Sequence, residues 1–193
     1  NPDFDAISAP VTDLSLASDL FPRRYVSILL GGGTNLWANV EFAAAFGACV
    51  RGKPVLAHIV DNEEDVRFAA FRTPDFTLSA ARITPGLEGA VDDGTAARGL
   101  GPAKAFLESL EGVKCYAKTG TLGTSDGPDE TSRVTIALIR PGKRHLLQSS
   151  KPRGLVISVV VERAEQGYAT EALGKFLVGN RASIRRALGY GER

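Results

Sequence analysis

Val113-Lys-Cys-Tyr-Ala-Lys-Thr-Gly-Thr121, Arg133-Val-Thr-Ile-Ala-Leu-Ile-Arg140 and Gly154-Leu-Val-Ile-Ser-Val-Val-Val-Glu162 decide the fold of this chain. Each run has the length of a strand. The second alternates and is rich in β-branched residues, and the third is an apolar run bounded by Pro152-Arg153-Gly154. Two connections join the three runs directly, with no room for a crossover helix, so the pairing is predicted to be antiparallel. Downstream, Ala169, Ala172, Leu173, Phe176, Leu177, Ile184 and Leu188 form an apolar stripe, and Tyr168–Leu188 is predicted to be one long helix. Strands followed by a packing helix predict an α+β fold, an antiparallel sheet flanked by helices.

Working outward, the segment before the first strand is helical in pattern. Asn39 is a suitable N-cap, Glu41 lies in the first turn, and Val40, Ala43, Ala44, Phe46, Gly47 and Val50 follow helical spacing up to Gly52 and Pro54. Gly31-Gly32-Gly33 breaks regular structure ahead of it. A second helix is predicted over Pro85–Asp93 with Gly94 as its stop, and a shorter one within Gly99–Glu111, ended by Gly112. Asn1–Pro22 reads as an irregular lead-in, and Asp61–Asp65 as a solvated acidic turn.

The chain has 193 residues, 44% of them hydrophobic, enough to bury a core in one domain or a large piece of one. Its formal net charge of +1 gives no chain-wide field for nucleic acid or anionic lipid. The basic C-terminal residues Arg181, Arg185, Arg186 and Arg193 read as a solvated helix face. Cys49 and Cys115 sit in apolar surroundings and are expected as buried free thiols, with one disulfide as the alternative in an oxidising compartment. No apolar stretch approaches the roughly 20 residues that span a bilayer. The N-terminus does not resemble a signal peptide, and no Met occurs anywhere, so an excised fragment is expected.

Several motifs are ruled out. Lys118 precedes its glycine, so there is no phosphate-binding P-loop, and Gly31–Gly33 does not complete a dinucleotide fingerprint. His58 and His145 lack ligand spacing, and the Asp61–Asp65 run lacks the glycine and spacing of a calcium loop. No metal or cofactor is therefore expected. Trp37 is read as a packing anchor.

Lys118-Thr119-Gly120-Thr121 carries the chemistry. On an accessible strand Lys118 supplies a cation, Thr119 and Thr121 supply hydroxyls, and Gly120 removes a side chain where a ligand backbone can lie alongside. Such a set suits an extended peptide ending in a carboxylate: strand addition supplies main-chain bonds, while cation and hydroxyls receive the acid. The Thr121 N–H is suited to a developing oxyanion.

With these residues, the chain resembles the C-terminal part of a penicillin-binding transpeptidase domain, of the serine D,D-peptidase and β-lactamase-like superfamily. In that family a Lys-Thr-Gly-Thr strand is followed by two strands and a long C-terminal helix, the order seen from Lys118 onward. Gly31-Gly32-Gly33 with Asn39-Val-Glu-Phe-Ala-Ala-Ala-Phe46 resembles the family's glycine turn and Ala-rich helix, and Gly86–Ala96 resembles the helix that ends in Gly-Thr-Ala. The likeness runs from roughly Gly31 to the C-terminal helix. It implies a partial penicillin-binding transpeptidase fold, with residues 1–193 the C-terminal portion of the domain. The complete enzyme would acylate a serine with a D-alanyl-D-alanine stem peptide and pass the acyl group to an amine or water, with β-lactams as mimics of that peptide. Lys118, Thr119, Gly120 and Thr121 would be the substrate-binding wall and part of the oxyanion site. The implied setting is peptidoglycan, in the periplasm or outside the cytoplasm, in a parent anchored to a membrane. The departure is that no serine has lysine three residues later; Ser79-Ala-Ala-Arg82 and Ser183-Ile-Arg-Arg186 come nearest, and arginine is no base. The family's Ser-x-Asn is absent too, Ser18-Asp19-Leu20 being a superficial echo. The chain alone is therefore predicted to be inactive, and to self-associate or hold the missing part of its domain. The alternatives are a non-catalytic binding or interaction domain on the same scaffold, and a serine β-lactamase fragment.

Overall fold

A computed structural model describes residues 39–52, 76–122, 131–142, 144–145, 148–149, 152–164 and 167–190. Ala43–Arg193 forms one compact unit, and the architecture below belongs to it. The readings of Asn1–Pro22, Gly31–Gly33, Trp37, His58 and Asp61–Asp65 lie outside the described residues.

Three strands make the sheet: β1 (Lys114–Leu122), β2 (Thr131–Arg140) and β5 (Arg153–Val161), in the order β1-β2-β5. Both pairings are antiparallel, as the short connections require. A small hairpin, β3 (Arg144–His145) with β4 (Gln148–Ser149), fills the connection between β2 and β5. Its strands are two residues each and carry neither the length nor the apolar character that marks the other three in the sequence.

The central strand explains its own composition. Val134 to Leu138 are all buried because β2 is covered on both faces, which is why this run is nearly continuous in apolar residues. Register sorts the side chains. Ala117, Val134, Ile136 and Leu138, flanked by Cys115, Leu155, Ile157 and Val159, form one face. Against it pack Leu173 and Leu177 of α5 (Tyr168–Gly179), Ile184 of α6 (Arg181–Ala187), Leu100 of α3 (Ala97–Leu100), and Phe106 and Leu107 of α4 (Lys104–Glu108). Tyr116 and Ala137, with Ile139 and Val156, form the other face, packed against Phe46 and Val50 of α1 (Asn39–Arg51) and Leu87 of α2 (Phe76–Asp92). The fold is α+β, an antiparallel sheet with helices on both sides.

Three expectations are corrected. The C-terminal helix is two helices, because Asn180 leaves helical geometry (φ −115°, ψ 24°) and its amide donates to the Phe176 carbonyl at 2.9 Å. A polar side chain that competes for backbone partners, following a glycine, interrupts the helix there. Phe176, assigned to the buried stripe, is 46% exposed. Finally, α2 begins at Phe76 rather than Pro85, and Pro85 lies inside it. The ring is on the solvent side, and Leu87 and Val91 anchor the following turns in the two cores, so tertiary packing outweighs the lost hydrogen bond.

At the C-terminal end the basic residues pack rather than merely solvate. The Arg185 guanidinium lies 4.8 Å from the Tyr190 ring centroid, and that of Arg181 lies 5.8 Å from the Phe106 ring.

Candidate functional site

Lys118 to Thr121 all lie on β1, which is an edge of the sheet: β2 pairs with one side, and no described strand pairs with the other. Alternation sends the four residues two ways. Lys118 and Gly120 share the face of Tyr116, while Thr119 and Thr121 share the face of Ala117. Lys118, Gly120 and Thr121 are exposed and Thr119 is half-buried. The group therefore stands at the strand end where both cores run out.

Helix α2 packs against the earlier part of β1. Leu87 belongs to the core on one side of the strand and Val91 to the core on the other, and Glu88 pairs with Lys114 at 3.4 Å. Beyond the helix, Gly94 lets the chain turn tightly: a Cβ there would meet the Ala90 Cα at 2.7 Å. The turn brings Thr95 to the strand, where the Thr119 hydroxyl donates to the Thr95 hydroxyl at 2.7 Å. Two segments quoted for the family resemblance, Gly94-Thr95-Ala96 and Lys118-Thr119-Gly120-Thr121, are thus in direct contact.

Register adds residues that the sequence reading did not single out. Thr135 stands opposite Lys118, and Ser158 opposite Thr135, so the three form a polar row across the sheet. The Thr135 and Ser158 hydroxyls are 2.9 Å apart, which satisfies a fully buried threonine. Arg133 stands opposite Gly120 on the face of Lys118, two positions along from Thr135. Burial pushes the Arg133 pKa down, yet a guanidinium keeps its charge. Two cations therefore share this face on adjacent strands. The Lys118 ammonium donates to the Thr119 carbonyl, folded back along its own strand.

Chemically, this arrangement offers a strand edge unpaired by any described strand, with main-chain groups, a cation at its start, hydroxyls on one side and a bare glycine between them. It can receive an extended, carboxylate-bearing ligand. Of the residues missed, Thr95 carried a signal in its Gly-Thr-Ala context; Arg133, Thr135 and Ser158 had none, because only register relates them to Lys118. Ser183, in one of the nearest approaches to Ser-x-x-Lys, is exposed on α6. Among the described residues no group of three or more His, Cys, Asp or Glu side chains gathers to hold a metal, and no described helix is long and apolar enough to cross a membrane. Cys49 and Cys115 are free, each half-buried, and burial followed by the charge of Asp92 pushes the Cys115 thiol up to about 11.

Comparison with known proteins found no match: no family model fits the chain, and no curated protein or solved structure aligns with it significantly.

Proposed function

We propose that the chain is the C-terminal part of a penicillin-binding D,D-transpeptidase domain, and that Lys118, Thr119, Gly120 and Thr121 form the wall that receives the carboxylate end of a peptidoglycan stem peptide or a β-lactam. The observation that carries this reading is the bond between Thr119 and Thr95 at a strand edge that no described strand pairs with. It joins two segments, 24 residues apart in the chain, that both carry the resemblance. The order of the sheet, with β1 followed by two antiparallel strands and C-terminal helices, supports the same reading.

In this reading Lys118 attracts the carboxylate, Thr119 and Thr121 bond it, and the Thr121 N–H faces the oxyanion. The nucleophile belongs to a segment of the parent that precedes these residues, and the setting is the extracytoplasmic cell wall.

Fluorescent penicillin tests it. The full-length protein should form an adduct that survives denaturing gel electrophoresis, and Lys118→Ala should slow labelling by roughly 10–100-fold, the range for losing a charge-assisted bond to the carboxylate. The 193-residue chain alone should give no such band. A labelled isolated chain, or a full-length protein indifferent to Lys118→Ala, would overturn the reading. Rapid turnover of a chromogenic cephalosporin would redirect it to a β-lactamase.

A further inference from the structure

The nearly balanced charge of the chain conceals a local segregation. Between Arg140 and Arg153 the sequence holds Lys143, Arg144 and Lys151 and no Asp or Glu. Both ends of that segment meet, because Arg140 and Arg153 are directly opposed on β2 and β5. Like charges in that position repel. The end of α6 arrives at the same place. Arg140 donates through Nη1 to the Leu188 carbonyl at 3.1 Å and the Gly189 carbonyl at 2.9 Å, and its guanidinium lies 4.0 Å from the Tyr190 ring centroid. Arg185 approaches the same ring at 4.8 Å, so the two guanidiniums are within about 9 Å of each other. Arg153 lies against Gly189, where a Cβ would come within 2.8 Å of its Nε and 3.2 Å of its Cζ. Tyr190 is held by its hydroxyl, which donates to the Glu111 carbonyl at 2.6 Å.

Helix capping accounts for part of this. Arg140 satisfies carbonyls at a helix end, and Arg185 in the last turn complements the dipole. It does not account for Arg153, whose side chain makes no hydrogen bond or ion pair with the described residues. Among the described residues no carboxylate lies within ion-pair distance of Arg140, Arg153 or Arg185. Three guanidiniums thus gather around Gly189–Tyr190, two of them set by a fixed ring, with no carboxylate of the described residues paired to them.

We propose that Arg140, Arg153 and Arg185, gathered at Gly189–Tyr190, form a binding site for a phosphate-class oxyanion. Guanidinium forks match the oxygens of a tetrahedral anion, and three of them neutralise a dianion without a metal. The site is separate from Lys118–Thr121: Arg140 lies seven positions along β2 from Arg133, about 23 Å at the usual strand rise. It therefore stands or falls independently of the transpeptidase reading. The same chemistry is offered by a soluble phosphate ester and by a phospholipid headgroup.

Pyrophosphate titration with chloride-matched controls tests the site, read by thermal unfolding. At ten times Kd the midpoint should rise by about 3–6 °C. Arg153→Gln, which removes no side-chain bond to the described residues, should weaken binding at least ~10-fold. Arg98→Gln, an exposed charge on α3, should leave it unchanged. Sedimentation with phosphatidylcholine vesicles, with and without phosphatidylglycerol, separates the sources. Vesicle binding that pyrophosphate competes away and Arg153→Gln abolishes identifies a headgroup; pyrophosphate binding without vesicle binding identifies a soluble ligand. Either supports the site. No midpoint shift, equal losses in Arg153→Gln and Arg98→Gln, or vesicle binding that pyrophosphate leaves intact would overturn it.

Discussion

Ser132 and Cys115 show what single side chains contribute. Ser132 is 2% exposed on β2, and its Oγ accepts the Ala169 N–H at 3.2 Å, satisfying one of the donors that the first turn of α5 leaves open. Its alanine variant would bury that N–H unpaired. We expect Ser132→Ala to cost about 1–2 kcal/mol, seen as a lower urea midpoint with an unchanged slope. Cys115 bears on pH. Its folded pKa of about 11 exceeds the ordinary 9.0, through burial first and Asp92 second. Between those values the unfolded chain has released a proton that the folded chain still holds, so stability falls as pH rises through that window. Urea midpoints for wild type and Cys115→Ala should therefore converge from pH 9 towards 11; parallel profiles would show that the thiol does not titrate abnormally.

Elements are joined by close approaches as well as by apolar stripes. Gly174 on α5 faces Gly99 on α3, where a Cβ on Gly174 would come 2.5 Å from the Gly99 carbonyl oxygen. Glycine inside a helix normally costs about 1 kcal/mol against alanine, so the contact must be worth more than that. Gly174→Ala should destabilise by roughly 1–3 kcal/mol, whereas Gly179→Ala, with open space around it, should be neutral or stabilising by a few tenths. Equal effects at the two positions would show that the helices do not meet as described. The strands and the first helix were legible, because strand length, β-branching and helical spacing are written locally. The division at Asn180 and the early start of α2 were not. Both depend on partners: the Phe176 carbonyl for Asn180, and two cores for Leu87 and Val91.

At the scale of the molecule, β5 stands at the far edge of the sheet, and no described strand pairs with its outer side. Leu155, Val156, Ile157, Val159, Val160 and Val161 remain half-buried along it. Long apolar edges recruit further strands, and each Å2 left in water forgoes about 25 cal/mol. The isolated chain should accordingly self-associate, with a sedimentation coefficient that rises across a concentration series. A strictly monomeric, well-folded species at high concentration would favour a self-sufficient binding module over part of a larger domain.

The sequence by itself determined the strand runs, their antiparallel sense, the α+β class and the position of Lys118-Thr119-Gly120-Thr121 on a strand, because periodicity and connection length act over a few residues. Tertiary structure alone decided which residues meet that strand. Thr95 reaches Thr119 through a turn and a packed helix, Arg133 faces Gly120 through register, and Arg140, Arg153 and Arg185 come together from two strands and a helix end. None of these meetings is encoded nearby in the chain. Each exists because packing acts over the whole chain: helices covering both faces of β2 fix where the turns and helix ends arrive, and strand register sets which polar residues stand side by side.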